Sequence, residues 1–397
     1  MKRITLLLCI ICICLQINAQ KKEISLAKDN IKKGTNLELA ESSMANLLKD
    51  SANRNNEKIW LTLYEAQKKQ YEQGNEKLYL KQDYDTAKLF LSVKKMFQTL
   101  EGLDSVDAQT DKKGRVKLVY RKKHAAMLDV HRRNLYNGGA YFVNKQNFKE
   151  AYNFFDMYLN CSIQPLFTGY KYDETDKNMP SAAYWAVYCG YKLQDPKATL
   201  HYAYWALKDT VHYQYMLQYL AETYKMEKDT MRYVSVLEEG FKKYPRFPFF
   251  FPRLIEYYTK NEQYDSALSL CDKALQVNDS SNLFKFTKSS VLLSLKRYKE
   301  CIDLCDSVIA KDSTILGTYL NAGLSYFNQA VEADKALKQT DKQKKEIIQL
   351  YKKALPYLEK YRKMVPDEKG LWGLPLYTIY LNLNMGKEFD EIDKLLK

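Results

Sequence analysis

The apolar positions of this 397-residue chain recur at helical spacing, and the pattern itself recurs. In "YDSALSLCDKAL", Ala267, Leu268, Leu270, Cys271, Ala274 and Leu275 form the stripe at i, i+3, i+4, i+7 and i+8 that one face of a helix requires. Before it, Leu254, Ile255, Tyr257 and Tyr258 predict a first helix, with Asn261 and Glu262 at the turn. The phrase returns as "YKECIDLCDSVI", and Tyr298 follows Tyr264 by 34 residues. A helix–turn–helix unit of that length cannot bury its apolar face alone, so it has to stack on neighbours.

The period and the placement of small residues resemble the tetratricopeptide repeat. In that family a small residue sits mid-way in the first helix, and an aromatic or apolar residue followed by Ala marks the second. Small side chains stand where helices cross and large ones fill the gaps between. Gly139, Phe148, Ala151 and Phe155 match in one unit, and Ala186, Ala198, Tyr202 and Trp205 in the next. Ala221, Leu237, Gly240 and Pro245 match in a third, where Tyr233 replaces the usual Ala. The Tyr264 and Tyr298 units follow. Gly323 lies 34 residues after Ser289, and Ala354, Leu358, Tyr361 and Pro366 match the second helix of its unit, with Pro356 expected to kink that helix or mark its start. "LWGLPLYTIYLNLNMGKEFDEIDKLLK" reads as a closing pair with Gly386 in the turn.

Two insertions interrupt the period. Ala151 to Ala198 spans 47 residues, so 13 extra residues fall near 162–180, where Pro, Gly, Asp and Asn predict a loop. Cys301 to Ala354 spans 53, so 19 extra residues fall near 328–350 and predict a lengthened, charged helical hairpin. Residues 20–125 read as divergent helical pairs capping the array, with 101–115 as a loop, and 126–397 as the repeat region. The resemblance implies an all-α, right-handed α-solenoid of tetratricopeptide-like helix–turn–helix repeats.

It also implies that first helices line a concave groove. Carried over, the groove positions are Tyr136, Tyr184, Tyr215, Tyr219, Phe249, Arg253, Glu256, Phe286, Leu320, Asn321 and Phe327. The family's carboxylate clamp wants Lys and Asn where this chain has Pro252 and Glu256 in the Tyr264 unit, so no clamp is expected. The reading is a non-enzymatic protein-binding scaffold or adaptor of the cell envelope. The alternative is a carbohydrate-binding component of an outer-membrane uptake system, since Tyr and Trp rings also stack on sugars.

Chemistry-bearing motifs are sparse. Of four His, His124 and His131 lie seven apart on one helix face, but basic neighbours and the missing third ligand speak against a metal. No metal, cofactor or catalytic residue is expected, and no nucleotide or hydrolase motif is present. Eight Cys occur, three of them within residues 1–19. The five others are too few and too scattered for a disulfide framework. Cys301 and Cys305, four apart on a helix, sit ~5–6 Å apart at Cβ, too far for a bridge. Cys161, beside the inserted loop, is expected to be the most reactive.

The net charge of +14 comes mostly from Lys, with acids interspersed. Nucleic acid is not the expected partner; an envelope protein is, and peripheral membrane association stays open. "MKRITLLLCIICICLQINAQ" has the charged start, short apolar run and small residue at Ala19 of a secretory signal. Export to the periplasm, with or without outer-membrane association, is therefore expected. The exported protein should have the mass of a chain starting at Gln20 without acyl groups; a mass that retains Met1–Ala19 overturns this.

Overall fold

The computed structural model describes residues 20–110, 113–116, 118–335 and 340–397. The proposed signal, residues 1–19, lies outside them. The described residues hold α-helices, two 3₁₀ turns and no strand. In order, the helices are α1 (20–33), α2 (Leu37–Lys49), α3 (Glu57–Tyr79), α4 (Thr86–Asp107), α5 (Arg121–Asn144), α6 (Phe148–Asn160) and α7 (Tyr172–Thr175). There follow α8 (Met179–Lys192), α9 (Pro196–His201), α10 (Ala203–Ala206), α11 (Tyr213–Met226), α12 (Thr230–Lys243), α13 (Phe250–Lys260) and α14 (Tyr264–Val277). The last are α15 (Asn282–Ser294), α16 (Tyr298–Ile309), α17 (Leu316–Asp334), α18 (Asp341–Met364), α19 (Lys369–Asn382) and α20 (Gly386–Leu396). They form two compact units, one reaching to Asp229 and the other spanning Thr230–Lys397. Within each, consecutive helices pack as hairpins and hairpins stack on their neighbours, the α-solenoid arrangement.

The repeat is written in the backbone of the turns. Gln194, Lys228, Glu262 and Lys296 have left-handed φ of 54°, 59°, 56° and 58°, and stand 34 residues apart. The next residue's N–H reaches the carbonyl five back: Asp195 to Gly190 (3.0 Å), Asp229 to Tyr224 (2.9 Å), Gln263 to Tyr258 (2.8 Å) and Arg297 to Leu292 (2.9 Å). This is the Schellman closure, which satisfies carbonyls that the helix end leaves open. Such φ costs a non-glycine residue ~1–2 kcal/mol, so the hydrogen bonds and the stacked helices have to hold it. Gly386 is not a turn residue; Asn384 takes the left-handed position and Gly386 starts α20.

The second helix starts two residues after each turn, and the fifth residue after it packs inward. That position holds Ala151, Thr199, Tyr233, Ala267 and Cys301, all buried. The turn at Gln146 precedes that at Gln194 by 48 residues, so 14 residues are inserted rather than 13. Thr199, not Ala198, is therefore the packing residue of its unit. Its backbone N would lie 2.5 Å from a Cβ on Gly190, an approach open only to glycine.

The inserted segment is ordered and sewn down. A 3₁₀ turn at Pro165–Phe167 and α7 lie within it, with Leu166, Phe167 and Tyr172 buried and Phe167 against Phe97 of α4. Its clasp is Arg132 on α5, 6 % exposed. The guanidinium lies 3.8 Å from the ring centroids of both Tyr158 and Tyr172 and pairs with Asp176 at 2.6 Å. Tyr158 Oη donates to Asp176 at 2.5 Å, and Tyr172 Oη to Asp129 at 2.6 Å. Cys161 is fully buried beneath this segment, and burial pushes its thiol well up, so it is not the exposed, reactive group expected from its place by a loop.

Two other expectations change. Residues 101–107 continue α4 instead of forming a loop, because Leu100 and Leu103 are buried and Asp104 holds Arg121 through two bonds (2.8 and 2.7 Å). Pro356 does not start a helix: α18 runs through it, 24 residues long. The extra residues near 328–350 lengthen both α17 and α18, whose added turns bury Ala330, Ile347 and Tyr351. All five cysteines of the described residues are free and buried.

Two outcomes test this packing. Gly323→Leu should cost ~1–3 kcal/mol in urea unfolding, because a Cβ there would sit 2.7 Å from Leu358 Cγ; a neutral result would displace the register. Arg132→Met should cost ~3–5 kcal/mol by leaving Asp176 unpaired. Burial alone would raise the Asp176 carboxyl, but bonds from Tyr158, the Asn178 N–H and Arg132 hold it below its usual range. Its contribution is therefore complete above the unfolded value of ~3.9 and fades as pH falls through the folded one. An acid-melting profile unchanged by Asp176→Asn would contradict this.

Candidate binding surfaces

The expected groove residues divide by unit. In the first, Tyr184 and Tyr219 are buried, Tyr136 is half-buried and Tyr215 is 39 % exposed. Tyr136 places its hydroxyl 3.0 Å from Ser181 Oγ and its ring edge-on to Phe155 and Tyr158. In the second, Phe249 and Asn321 are buried. Asn321 donates to Ser289 and Ser290 Oγ, each at 2.9 Å. Phe286 lies against Gly317, Leu320 joins the core around α18, and Phe327 faces Tyr351 at 6.2 Å. Arg253 lies 3.7 Å over the Phe249 ring and donates to the Phe249 carbonyl, while Glu256 accepts from Lys260 at 2.6 Å. Packing thus takes up Tyr184, Tyr219, Phe249 and Asn321, while Tyr215, Arg253 and Glu256 keep accessible surface.

A half-buried aromatic grouping on α8 and α11 was only half anticipated. Helix α8 buries Met179 and Tyr184 together with Ala182, Ala183, Ala186, Val187, Cys189 and Gly190, so most of its inward face is small and its other rings are left to the remaining face. Trp185 and Tyr188 are half-buried and meet edge-on at 5.6 Å. Tyr191 stacks on Tyr219 of α11 at 4.6 Å, and Tyr188 reaches Tyr219 at 5.8 Å. Phe148 of α6 closes against Tyr188 at 5.8 Å. Counting nine residues back from each left-handed turn gives Tyr219 and Arg253, and also Trp185; six back gives Glu256, and also Tyr188. Tyr184 lies ten residues before its turn, as Tyr136 and Phe286 lie before theirs, and the expected set did not include the nine-back and six-back positions of this unit.

The ring face is held by a polar anchor. Asp209, 7 % exposed, accepts from the backbone N–H of Val211 (2.9 Å) and His212 (3.2 Å), and faces His212 Nδ1 at 3.0 Å. His212 is thereby fixed as a plate stacked 4.2 Å over Tyr184. Burial and the bond to Tyr184 push the Tyr219 hydroxyl up, so it stays a neutral phenol at ordinary pH. The strip offers flat, rigid apolar area with few charges of its own.

Elsewhere the chemistry is structural. His124 is buried and stacked on Tyr120; His131 is half-buried edge-on to Tyr71; burial lowers both. Among the described residues no group of three or more His, Cys, Asp or Glu could hold a metal ion. Burial pushes Cys189 and Cys271 up to about 12. A hydrogen bond with Cys301, with burial, raises Cys305 further, and Cys301 donates to the Ser289 carbonyl. In the second unit, α12 and α14 flank a cleft of about 870 Å³ with Phe241, Leu254 and Leu270 in its lining and Lys242 and Lys273 beside them.

No family profile and no curated protein matches the chain. Among solved structures it is similar to YrrB, described as a TPR protein with an unusual peptide-binding site, at 17 % identity and a TM-score of 0.37, over 53 % of this chain and 96 % of that one. It is also similar to the C-terminal part of a TPR repeat-containing protein from Cytophaga hutchinsonii, at 12 % and 0.37, over 62 % and 93 %. A third is the TPR domain of P58(IPK), at 14 % and 0.26, over 95 % and 99 %. At these scores the likeness carries nothing about partner or activity.

Proposed function

We propose that the protein is a non-enzymatic scaffold that holds a protein segment against the aromatic strip of α8 and α11. The observation behind this is the interlocked set of Trp185, Tyr188 and Tyr191, partly open to solvent and braced from below by Tyr184, Tyr219 and the Asp209–His212 pair. Rings whose rotamers are already fixed lose little entropy on binding, and Trp and Tyr dominate binding hot spots. Stacked first helices place such residues in a row, which suits an extended or helical segment.

Export and residence in the envelope are part of the proposal and rest on residues 1–19. The carbohydrate reading has one feature of its own: Tyr204 is 71 % exposed, next to Trp205, with Lys208 Nζ 3.8 Å from the Trp205 ring centroid. Such an open ring pair can stack on a pyranose face.

Trp185→Ala with Tyr188→Ala should abolish crosslinked capture of the partner from envelope extract, with helicity retained. Loss of two hot-spot rings at ~2 kcal/mol each lowers affinity by roughly two to three orders of magnitude. Undiminished capture would sink the strip as the site. A glycan array that reads binding sensitive to Tyr204→Ala, with no captured protein, would favour the carbohydrate alternative.

A further inference from the structure

The connection between α4 and α5 and the face of α5 that continues it carry cations and bare aliphatics together. Val116, Leu118 and Val119 are 49 %, 41 % and 64 % exposed, three large apolar residues within four positions. Lys113, Arg115, Lys122 and Lys123 surround them in sequence and are exposed. On α5, Lys122, Ala126, Val130 and Arg133 follow at i, i+4, i+8 and i+11, one face of the helix, and Val130 is 73 % exposed. No Asp or Glu occurs between Asp111 and Asp129.

The base of this segment is tied. Arg121 turns inward onto Asp104, and the Tyr120 N–H donates to Asp107 Oδ2 at 3.3 Å. Tyr120 stacks on His124, and Asp129 accepts from Tyr172. Asp104, Asp107 and Asp129 are thus engaged at the base, and Val116, Leu118 and Val119 are exposed beyond it. Protein-binding patches centre on rings seated in pockets; the exposed apolar side chains here are Val and Leu. Short aliphatics among cations match the boundary between headgroups and acyl chains of an anionic bilayer, where each Lys or Arg adds attraction.

We propose that this patch docks the protein on an anionic bilayer surface. Val116, Leu118 and Val119 enter the headgroup–acyl boundary, and Lys122 and Lys123 lie against the phosphates. This gives residues to the peripheral membrane association left open by the sequence, and it is independent of the aromatic strip.

Residues 1–19 are themselves apolar, so the test needs a local reporter in the full chain. A tryptophan at Leu118→Trp is read against vesicles containing brominated phosphatidylcholine, with and without about 30 % phosphatidylglycerol. Its added fluorescence should be quenched only with phosphatidylglycerol, and quenching should fade at high salt. Lys122→Glu with Lys123→Glu should raise the lipid concentration needed by roughly tenfold or more. Trp185→Ala with Tyr188→Ala should leave the quenching unchanged, which separates this patch from the strip. Absence of quenching overturns the proposal, as does equal quenching with and without phosphatidylglycerol. Binding of polyglutamate without bromolipid quenching would also overturn it, by showing an acidic-protein site.

Discussion

The repeats from Gln146 to Lys296 depend on a hairpin that closes the same way at each of their five turns. A left-handed residue ends the first helix, the Schellman bond caps it, and five residues later a side chain meets the crossing. That geometry fixes which side chains point inward on both helices, and with them the two units' cores. Where the incoming residue is small, as at Ala151, Ala267 and Cys301, the helices close directly. Where it is Tyr233, the same helix carries Gly240 two turns on, against which Phe250 packs.

The same closure explains how insertions are tolerated. Fourteen residues after α6 leave the next turn and its packing position unchanged, because a stacked hairpin needs only its neighbour's face and not a fixed chain path. The inserted segment still had to be held, and Arg132 holds it with two rings and one carboxylate in a nearly water-free place. Such a buried charge would be costly alone, and the Asp176 pairing offsets that cost. In the second unit the extra residues instead extend α17 and α18, burying their own new apolar positions.

The two surfaces argued here use opposite physics. The strip on α8 and α11 is rigid, aromatic and poor in charge, suited to a shaped partner. The patch on the α4–α5 connection is aliphatic and cationic, suited to a partner without shape. One binds by fit, the other by solvation and field, and a protein can carry both without either constraining the other.

From its residues alone the chain declared its helices, its 34-residue period and the small side chains at the crossings. Those follow from local apolar spacing, which is visible in one dimension. Glu262 at the turn and Gly323 at its crossing were legible for the same reason. What needed the tertiary structure was phase and burial. One residue of slip across the first insertion exchanged Ala198 for Thr199. Whether a ring faces solvent or a neighbouring helix was equally hidden, so Tyr219 and Phe249 read like Tyr215 although only the last is exposed. Cys161 and Arg132 became intelligible only once the inserted segment was seen to fold back over them, because contacts across tens of residues leave no periodic trace.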